Sequence, residues 1–598
     1  MTIQTLFAYV EQVYGWTDTP SLLTGKYFIA FSPHDTLVKR GKGIRFDFVE
    51  NPEPDITDQL AAFGYTRMAP TDKFRGTIVR IPFRTPEQAK LSEISRIIVS
   101  PSEILQIFEE YQSDVVDSLV FLKNIERVEF YLDDTRIGYI SLRNIEAARS
   151  LRASIAGAIS SCSAASYGMR FDIEREFSGG NQIIKSLESY QIQQSVFDMN
   201  TYQMSQEFKS WVVESKSVGA IALSARLNET DSPPVGRVFV TLPLPIPLDQ
   251  TRVNINGMFA LRRDRRSLWT DNDTHGGRTM NEILWNNFIV RNFAPIVWHS
   301  LLENLTQSKS TVYEYFPLMP TAMGSLFNHL AADVLKQIVD AKTSVWRSST
   351  GQYMPLQMGF VAVKKLDLPA VDCLTKLGMP IFADVPSTII SLLQTSPFAH
   401  TILTPEVVRI WLRQNLGPNK TCDVEMAMQL LEYVSDDEQM DKLFDLPLFV
   451  TKNGILQSLR ANASADIFDD FEDKLYIGTA QESALFDPTG ELFLLIENYP
   501  LNVVARIRSH ISMMSAALNF ETFNLRSFKR FTRARFSHPS LANREPNIIP
   551  MSICKLDLAW IQALWTWLDM NPDMKEVEQA VQSLWLIPLE DGESLHKV

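Results

Sequence analysis

Residues 238–269 read VFVTLPLPIPLDQTRVNINGMFALRRDRRSLW, and no other segment of the chain restricts the backbone so strongly. The opening VFVTLPL predicts a buried strand, because β-branched and apolar residues favour pleated backbone. Pro243, Pro245 and Pro247 then remove backbone donors at every second position, so the strand must end or lie at a sheet edge. NING predicts a turn with a positive φ, and MFAL predicts that an apolar strand resumes after it. A cluster of arginines follows.

This segment resembles the "LPLP…VHINGxFxLSxxRRxLW" signature of the sacsin family. Those very large, chaperone-like proteins have repeats that each carry an ATPase domain of the heat-shock protein 90 (HSP90) type. Further pieces occur here in the family's order, which extends the resemblance over about residues 13–300. VYGWTDTPS at 13–21 is similar to the family's NSVYHxTDxPS, and FSPH at 31–34 is similar to its FDPH. RGTIVRIPFR at 75–84 is similar to GTLFRLPLR, and LVFLKNI at 119–125 is similar to LLFLKNI.

The resemblance also implies which residues a complete nucleotide site would contain. In the family, a Glu that activates water, an Asn that reaches Mg²⁺, an Asp that reads adenine and a glycine-rich lid all precede the VYH position. Only residues 1–12 precede it here, and they contain neither glycine nor Asn. We therefore expect residues 1–130 to be a partial HSP90-like ATPase domain that lacks the nucleotide-binding first half. Gly76 and Thr77 would be the remnant of the nucleotide site, although a Thr in a strand more commonly reflects β-propensity alone.

The expected fold class is α/β (α+β), with more than one domain. At 598 residues the chain is too long for a single core. After the partial ATPase sheet we predict a helical connector over 131–207 and an α/β middle-type domain over 208–350. A mainly helical C-terminal region follows over 351–598, with room for two subdomains.

Several local patterns support this division. Short β-branched or aromatic runs predict strands over 27–31, 44–48, 78–83, 119–128, 211–213 and 221–223. Helical periodicity predicts helices over 102–111, 144–163, 180–204 and 281–305, the last kinked at Pro295. Thr404 and Pro405 predict a helix start, because Thr caps and Pro fits the first turn. Four tryptophans near the C-terminus, Trp560, Trp565, Trp567 and Trp585, predict a packed core, with a binding groove as the alternative.

The arginine cluster is the strongest candidate for function. The resemblance marks Arg265 and Arg266, and it implies that a middle-domain arginine reaches the γ-phosphate of a nucleotide, where a planar cation stabilises the charge that develops. The alternative is a structural basic turn that pairs with Asp271 and Asp273 or stacks on Trp269. His275, in a glycine loop, is a weaker candidate for anion contact. A second basic cluster over 525–536 predicts a solvated helix face, with binding of an acidic partner as the alternative.

Composition narrows the functional classes further. A net charge of −13 argues against a general nucleic-acid binder. Scattered cysteines, with no signal peptide and no apolar run long enough to span a bilayer, predict a reducing compartment, the cytoplasm or else the nucleus.

The sequence thus predicts a sacsin-like chaperone-type or scaffold protein that binds client or partner proteins, without ATPase activity or a bound cofactor of its own. The first alternative is an ATPase, with ATP and Mg²⁺, completed in trans or by a missing N-terminal segment. The second is a non-chaperone helical interaction scaffold.

Overall fold

The computed structural model describes residues 21–32, 42–47, 60, 73–91, 96–133, 135–179, 182–215, 218–228, 235–249, 251–273, 280–317, 325–363, 368–416, 423–437, 439–462, 471–495, 499–513, 517–536, 547–553, 557–570, 574–582, 584–590 and 592–598. Residues 13–20 of the first family motif, residues 1–12 and His275 lie outside this description. By its internal contacts the chain forms two compact units, Met1–Gln337 and Ile338–Val598. The finer division into four parts stays a prediction.

The first unit begins with a four-stranded antiparallel sheet. Leu23 and Phe28 are fully buried and form its core together with Leu60. The predicted strands over 27–31, 44–48 and 78–83 are confirmed, although the third begins and ends earlier than expected. The strands lie in the order β3-β2-β1-β4 and are β1 (Ser21–Gly25), β2 (Tyr27–Ser32), β3 (Lys42–Asp47) and β4 (Phe74–Arg80).

An eight-stranded sheet dominates the rest of this unit, in the order β11-β10-β12-β9-β8-β7-β6-β5. Neighbouring strands are antiparallel except β10 and β12, which pair in parallel. The strands are β5 (Arg127–Leu132), β6 (Thr135–Leu142), β7 (Ala165–Gly179), β8 (Gln182–Phe197), β9 (Gly219–Arg226), β10 (Val235–Val240), β11 (Leu242–Asp249) and β12 (Val253–Gly257).

Helices cover this sheet. The helix predicted over 102–111 is confirmed and runs further, as Pro101–Leu119, and it buries Val115, Val116 and Leu119 in the core. Ser100 caps it and forms a reciprocal capping box with Glu103. We name the helices α1 (Pro86–Leu91), α2 (Pro101–Leu119), α3 (Ile145–Ser160), α4 (Gln206–Ser215), α5 (Asn281–Phe288), α6 (Ala294–Leu305) and α7 (Leu330–Asp340).

The prediction of a helical connector over 131–207 is wrong in its main part. Its first helix exists as α3, but β5 and β6 lie around residue 131, and β7 and β8 form a hairpin of 15 and 16 residues in place of the helix predicted over 180–204. Every residue of β7 from 165 to 179 has a partner on β8. Such continuous pairing satisfies the backbone donors and acceptors, and it outweighs the weak helical period of a polar sequence.

Two further strand predictions need correction. Residues 211–213 belong to α4, where Phe208 and Val212 lie one turn apart and are both buried, whereas Val213 is exposed. Residues 119–126 end α2 and form a loop, so that strand begins only at β5. The strand predicted over 221–223 is confirmed within β9.

The helix predicted over 281–305 is confirmed with its irregularity. It consists of α5, a π-helical segment Ile289–Phe293 and α6, and Pro295 lies in the first turn of α6. Because proline cannot donate a hydrogen bond to the preceding turn, the ladder changes there. Trp285 and Trp298 are fully buried, and their indole nitrogens donate to the carbonyls of Met258 and Tyr315.

The second unit combines helices with small sheets. The helix start at Thr404 is confirmed, because its hydroxyl accepts from the Val407 amide at 3.3 Å. The helices are α8 (Leu368–Lys376), α9 (Ser387–Gln394), α10 (Pro405–Asn415), α11 (Val424–Val434), α12 (Ala480–Phe486), α13 (Leu501–Met513), α14 (Leu525–Phe536), α15 (Leu558–Asp569) and α16 (Met574–Val581). The strands are β13 (Trp346–Arg347), β14 (Tyr353–Met354), β15 (Phe360–Val361), β16 (Ile381–Phe382), β17 (Phe449–Val450), β18 (Leu456–Gln457), β19 (Ala461–Asn462), β20 (Leu475–Gly478), β21 (Phe493–Leu495), β22 (Ala517–Leu518), β23 (Phe520–Thr522), β24 (Ile548–Pro550), β25 (Trp585–Pro588) and β26 (Ser594–Lys597).

The predicted aromatic core near the C-terminus is confirmed. Trp585 is buried, and Trp560 and Trp567 pack against the same apolar cluster. Trp565 is more exposed and donates its indole N–H to the Leu586 carbonyl at 2.9 Å. These tryptophans therefore serve packing, as the sequence favoured.

Candidate functional site: an arginine-lined groove beside a proline strand

The proline segment forms a hairpin at the end of the large sheet. Thr241 has a φ of +68°, which reverses the chain between β10 and β11. β11 pairs with β10 on one side and is last in the strand order, so the prediction of an edge strand is confirmed. The alternation of Pro243, Pro245 and Pro247 directs their missing donors to the same side of the strand.

The NING sequence is a strand and not the predicted turn. It forms β12, a buried strand between β10 and β9. Asn254 accepts the backbone N–H of Arg237 at 2.9 Å, and Asn256 accepts that of Thr241 at 2.8 Å. The two amides thus tie β10 and the Thr241 turn to β12, and the positive φ occurs at Thr241 instead.

The arginine cluster forms a tight loop closed by a bridge between Leu261 and Leu268. Arg265 has a φ of +55°, and its amide donates to the Arg262 carbonyl at 2.9 Å. The Asp264 carboxylate accepts the amides of Arg266 and Ser267 at 2.9 and 3.2 Å. The backbone hydrogen bond from Arg266 and the side-chain bond from Ser267 lower the pKa of Asp264. Asp264 therefore stays ionised and fixes the loop conformation.

Arg262 has a structural role. Its guanidinium lies 2.8 Å from Asp273 and over the Trp269 ring, 5.6 Å from the ring centroid. For this arginine the structural alternative is confirmed, except that Asp271 instead accepts a hydrogen bond from Asn287. Such a paired, exposed cation contributes little to stability but orients the loop.

Arg265 and Arg266 are different, because they line a groove of about 720 Å³ beside β11. Both side chains are exposed, and within the described part of the chain neither has an ion-pair partner. Arg237 also lines the groove, and its guanidinium is held by Asp114 of α2 at 2.5 Å. The remaining wall is apolar and consists of Val240, Leu242, Pro243, Leu244, Pro245, Ile246, Pro247 and Leu261.

A buried polar network supports the groove from α2 and the sheet. Tyr190 donates to Asp117 at 2.8 Å and contacts Glu188, which pairs with Arg226 at 2.5 Å. Burial raises the pKa of Asp117, although hydrogen bonds from Tyr190 and Asn254 and nearby arginines oppose this effect. Burial, and then the neighbouring Asp117, raise the pKa of Tyr190 well above its ordinary value. The phenol therefore stays a hydrogen-bond donor that fixes α2 to the sheet.

Sequence reasoning missed this network. The available signal was Asp114 and Asp117, three residues apart within the otherwise apolar end of α2. Such spacing places two carboxylates on one helix face, which is unusual where the neighbouring residues are buried.

Gly76 and Thr77 lie apart from the arginine loop in the strand order, on β4 of the smaller sheet. Thr77 is exposed, and its hydroxyl lies 3.1 Å from that of Thr24 on β1. Gly76 has a φ of +151°, and a Cβ there would meet the Phe74 ring at 3.2 Å. Gly76 and Thr77 therefore lie in a strand of the smaller sheet, whereas Arg265 and Arg266 lie in a loop that follows the last strand of the larger sheet in sequence.

The second basic cluster is a helix, α14. Its apolar face is buried through Phe528, Phe531 and Phe536, while Arg530 pairs with Glu521 at 2.6 Å.

In the described residues no group of three His, Cys, Asp or Glu side chains is arranged to hold a metal ion. No helix of the described chain is long and apolar enough to cross a membrane.

Comparison with known proteins finds similarity to sacsin. Residues 10–139 match the family model described as "Sacsin domain". The chain is 23% identical over 550 residues to "Sacsin" from Homo sapiens, which covers 83% of this chain and 12% of that protein. This chain thus spans about one eighth of the length of that relative. No solved structure matches. The domain match and the similarity along most of its length support the resemblance of this chain to the sacsin family.

Proposed function

We propose that this chain is a sacsin-like, chaperone-type or scaffold protein that binds client or partner proteins in the cytoplasm without an ATPase activity or cofactor of its own. The observation that carries the proposal is the groove, where the guanidinium groups of Arg265 and Arg266, which form no ion pair with any described residue, lie beside an apolar proline strand. The similarity to sacsin supports the chaperone-type role.

The groove favours one kind of client segment. Its proline edge lacks the donors needed to add a strand, so a bound segment would be recognised through side chains and not by β-augmentation. The apolar wall suits aliphatic or aromatic side chains, and Arg265 and Arg266 suit carboxylates, which guanidinium groups bind through paired hydrogen bonds. An extended segment that combines acidic and apolar residues fits both features.

The surroundings of Thr77 support the absence of a separate nucleotide activity. Its hydroxyl pairs with Thr24 on an exposed strand surface. A strand hydroxyl used in this way contributes to cross-strand pairing. Residues 1–12, on which the prediction of a partial ATPase domain also rested, lie outside the described chain.

The test is binding of fluorescein-labelled peptides to the full chain, measured by fluorescence anisotropy. One peptide alternates Glu with Leu, and two controls replace Glu by Gln or Lys. We expect the double variant Arg265→Glu/Arg266→Glu to bind the acidic peptide at least about tenfold more weakly, since charge-assisted hydrogen bonds are strong. Arg263→Glu is the matched control, because Arg263 is exposed in the same loop but is not among the described groove residues.

The outcomes separate the proposal from its rivals. Equal weakening by Arg263→Glu would mean that only net charge matters, and the groove would lose its role. Suppression of the aggregation of a heat-denatured enzyme by the wild-type chain, reduced in the double variant, supports a chaperone activity. Peptide binding without such suppression favours the non-chaperone scaffold.

The ATPase alternative retains one supporting observation, the unpaired state of Arg265 and Arg266 in the described chain. Such arginines could reach the phosphate of a nucleotide held by another segment or another chain. Titration calorimetry with ATP and Mg²⁺ tests this alternative. Binding that weakens in both Thr77→Ala and Arg265→Ala would replace our proposal with a nucleotide-dependent one.

A further inference from the structure

A second cavity lies between α3, β7, β8 and the loop that carries LVFLKNI. Its volume is about 460 Å³, within the range of small-ligand sites. Apolar side chains form much of its lining, and Phe121, Ile155, Phe171 and Ile192 among them are buried. Leu151 of α3 is partly buried and lines the cavity as well. The cavity can therefore enclose an apolar body.

The charged side chains that line the same cavity carry a net positive charge. Glu126 is already bound by Arg149 in a bidentate pair, with nitrogen to oxygen distances of 2.7 and 2.8 Å. Lys123 and Arg152 also line the cavity, and no ion pair joins either of them to a carboxylate of the described residues. One positive charge of the lining is thus neutralised, and two are left over.

Arg152 is the informative residue. Its Nη2 donates to the Leu119 carbonyl at 3.2 Å, while its Nη1 is buried and has no hydrogen-bond partner in the described structure. Burial lowers the pKa of Arg152, and the charge of Glu126 opposes this. Leaving a charged guanidinium partly buried with an unsatisfied donor is costly, and a carboxylate beside the guanidinium would offset that cost.

We propose that this cavity binds a carboxylate carried on an apolar body, with the carboxylate at Arg152 and the apolar body between α3 and the sheet. A medium-chain fatty acid and the C-terminal residue of a peptide with an apolar side chain share this chemistry. The inference concerns a site separate from the arginine groove, and it stands whether or not that groove binds acidic segments.

The test uses titration calorimetry on the full chain with decanoate and decan-1-ol, both kept below their micelle or solubility limits. We expect decanoate to bind at least about tenfold more tightly than the alcohol, because only the carboxylate can pair with Arg152. Arg152→Met keeps the apolar stem and removes the charge, so it is expected to abolish this preference. Equal affinities for both compounds in the wild-type chain, or no binding of either, would exclude small carboxylates as the ligand. The peptide pair described next would then decide whether the proposal stands.

The second arm identifies the source of the carboxylate. A short peptide that ends in Leu with a free carboxylate is compared with the same peptide ending in an amide. A preference for the acid that disappears in Arg152→Met assigns the site to peptide termini, and a preference seen only with decanoate assigns it to small carboxylates. If neither ligand pair shows a preference, the proposal is wrong.

A second variant, which fills the cavity, tests the proposal even if Arg152→Met does not fold. Ala156 is exposed on α3 and lines the cavity, so Ala156→Trp fills it without disturbing the core. Ala147 is exposed on the same helix and is not among the lining residues, which makes Ala147→Trp the matched control. We expect loss of carboxylate binding in the first variant and unchanged binding in the second. The same affinity in both would contradict the assignment to this cavity.

Discussion

Arg409 shows how this chain handles a buried charge. Only 1% of its side chain is exposed, and its guanidinium binds the Asp437 carboxylate at 2.8 and 2.6 Å and the Val434 carbonyl at 2.6 Å. The hydrogen bond from Arg409 lowers the pKa of Asp437. Its Nε is buried and has no hydrogen-bond partner in the described structure. A buried guanidinium is tolerated when its charge is balanced, so α10 depends on one carboxylate outside the helix.

Removing that carboxylate is expected to destabilise the protein strongly. Asp437→Ala leaves Arg409 buried without its counter-charge, which costs about 3 kcal/mol. Asp436→Ala is the control, because the side chain of Asp436 is 67% exposed and lies 3.5 Å from Arg506. The control is expected to cost less than about 1 kcal/mol. Urea unfolding followed by circular dichroism measures the free energy of unfolding of both variants. Similar losses of stability would show that the Arg409–Asp437 pair contributes no more than an exposed ion pair.

At the scale of elements, β11 shows how an edge strand is protected. A free edge exposes backbone donors and acceptors that can pair with another chain. With prolines at alternate positions, β11 lacks donors along one side and cannot complete a new ladder there. The same prolines supply part of the apolar wall of the arginine groove. One sequence feature therefore both protects the sheet and shapes the candidate site.

Restoring the donors of β11 is expected to cause self-association. In the variant Pro243→Val/Pro245→Val/Pro247→Val the outer edge can pair with a second copy, and sedimentation velocity should show a concentration-dependent larger species. The control carries Lys at 245 in place of Val, because a charged residue on an edge opposes such pairing. If both variants sediment like the wild-type chain, the prolines do not protect this edge.

At the scale of the whole molecule, the two units carry carboxylates whose pKa values move in opposite directions. Burial raises the pKa of Asp117 in the first unit. Burial also acts to raise the pKa of Glu521 in the second unit, but hydrogen bonds from Ser527, Arg530 and Lys474 outweigh it, and the pKa is lowered. The stabilisation from Glu521 is thus complete above its unfolded pKa, about 4.3, and is lost as the pH falls through its folded pKa. The contribution of Asp117 is complete below about 3.9 and is lost as the pH rises through its folded pKa.

The two groups therefore predict opposite pH profiles for two variants. Glu521→Gln should destabilise the chain at pH 7, and its difference from the wild-type chain should shrink below about pH 4. Asp117→Asn keeps an acceptor for Tyr190 and removes the buried charge, so its stability relative to the wild-type chain should be higher at pH 7 than at about pH 4. Urea midpoints measured across this range test both statements. A difference that does not change with pH would contradict the corresponding pKa shift.

Local sequence by itself determined the features that depend on a few neighbouring residues. The proline spacing requires an edge or an end, Thr404 and Pro405 begin a helix, and Pro295 interrupts one; the structure agrees in each case. Local patterns also revealed the resemblance to the sacsin family, because the motif residues and their order are visible without coordinates. Steric and hydrogen-bonding limits of single residues act over one turn or one strand, and so they can be predicted.

Only the tertiary structure decided the features that depend on distant partners. The β7–β8 hairpin, the burial of Asn254 and Asn256 in a strand, and the network around Asp117 all rely on pairing across long stretches of chain. The tertiary structure also distinguished Arg262, which pairs with Asp273, from Arg265 and Arg266, which line the groove. The sequence alone could not show which of these arginines is paired. Long-range contacts determine which polar groups are satisfied and which remain available, and that distinction defines both candidate sites.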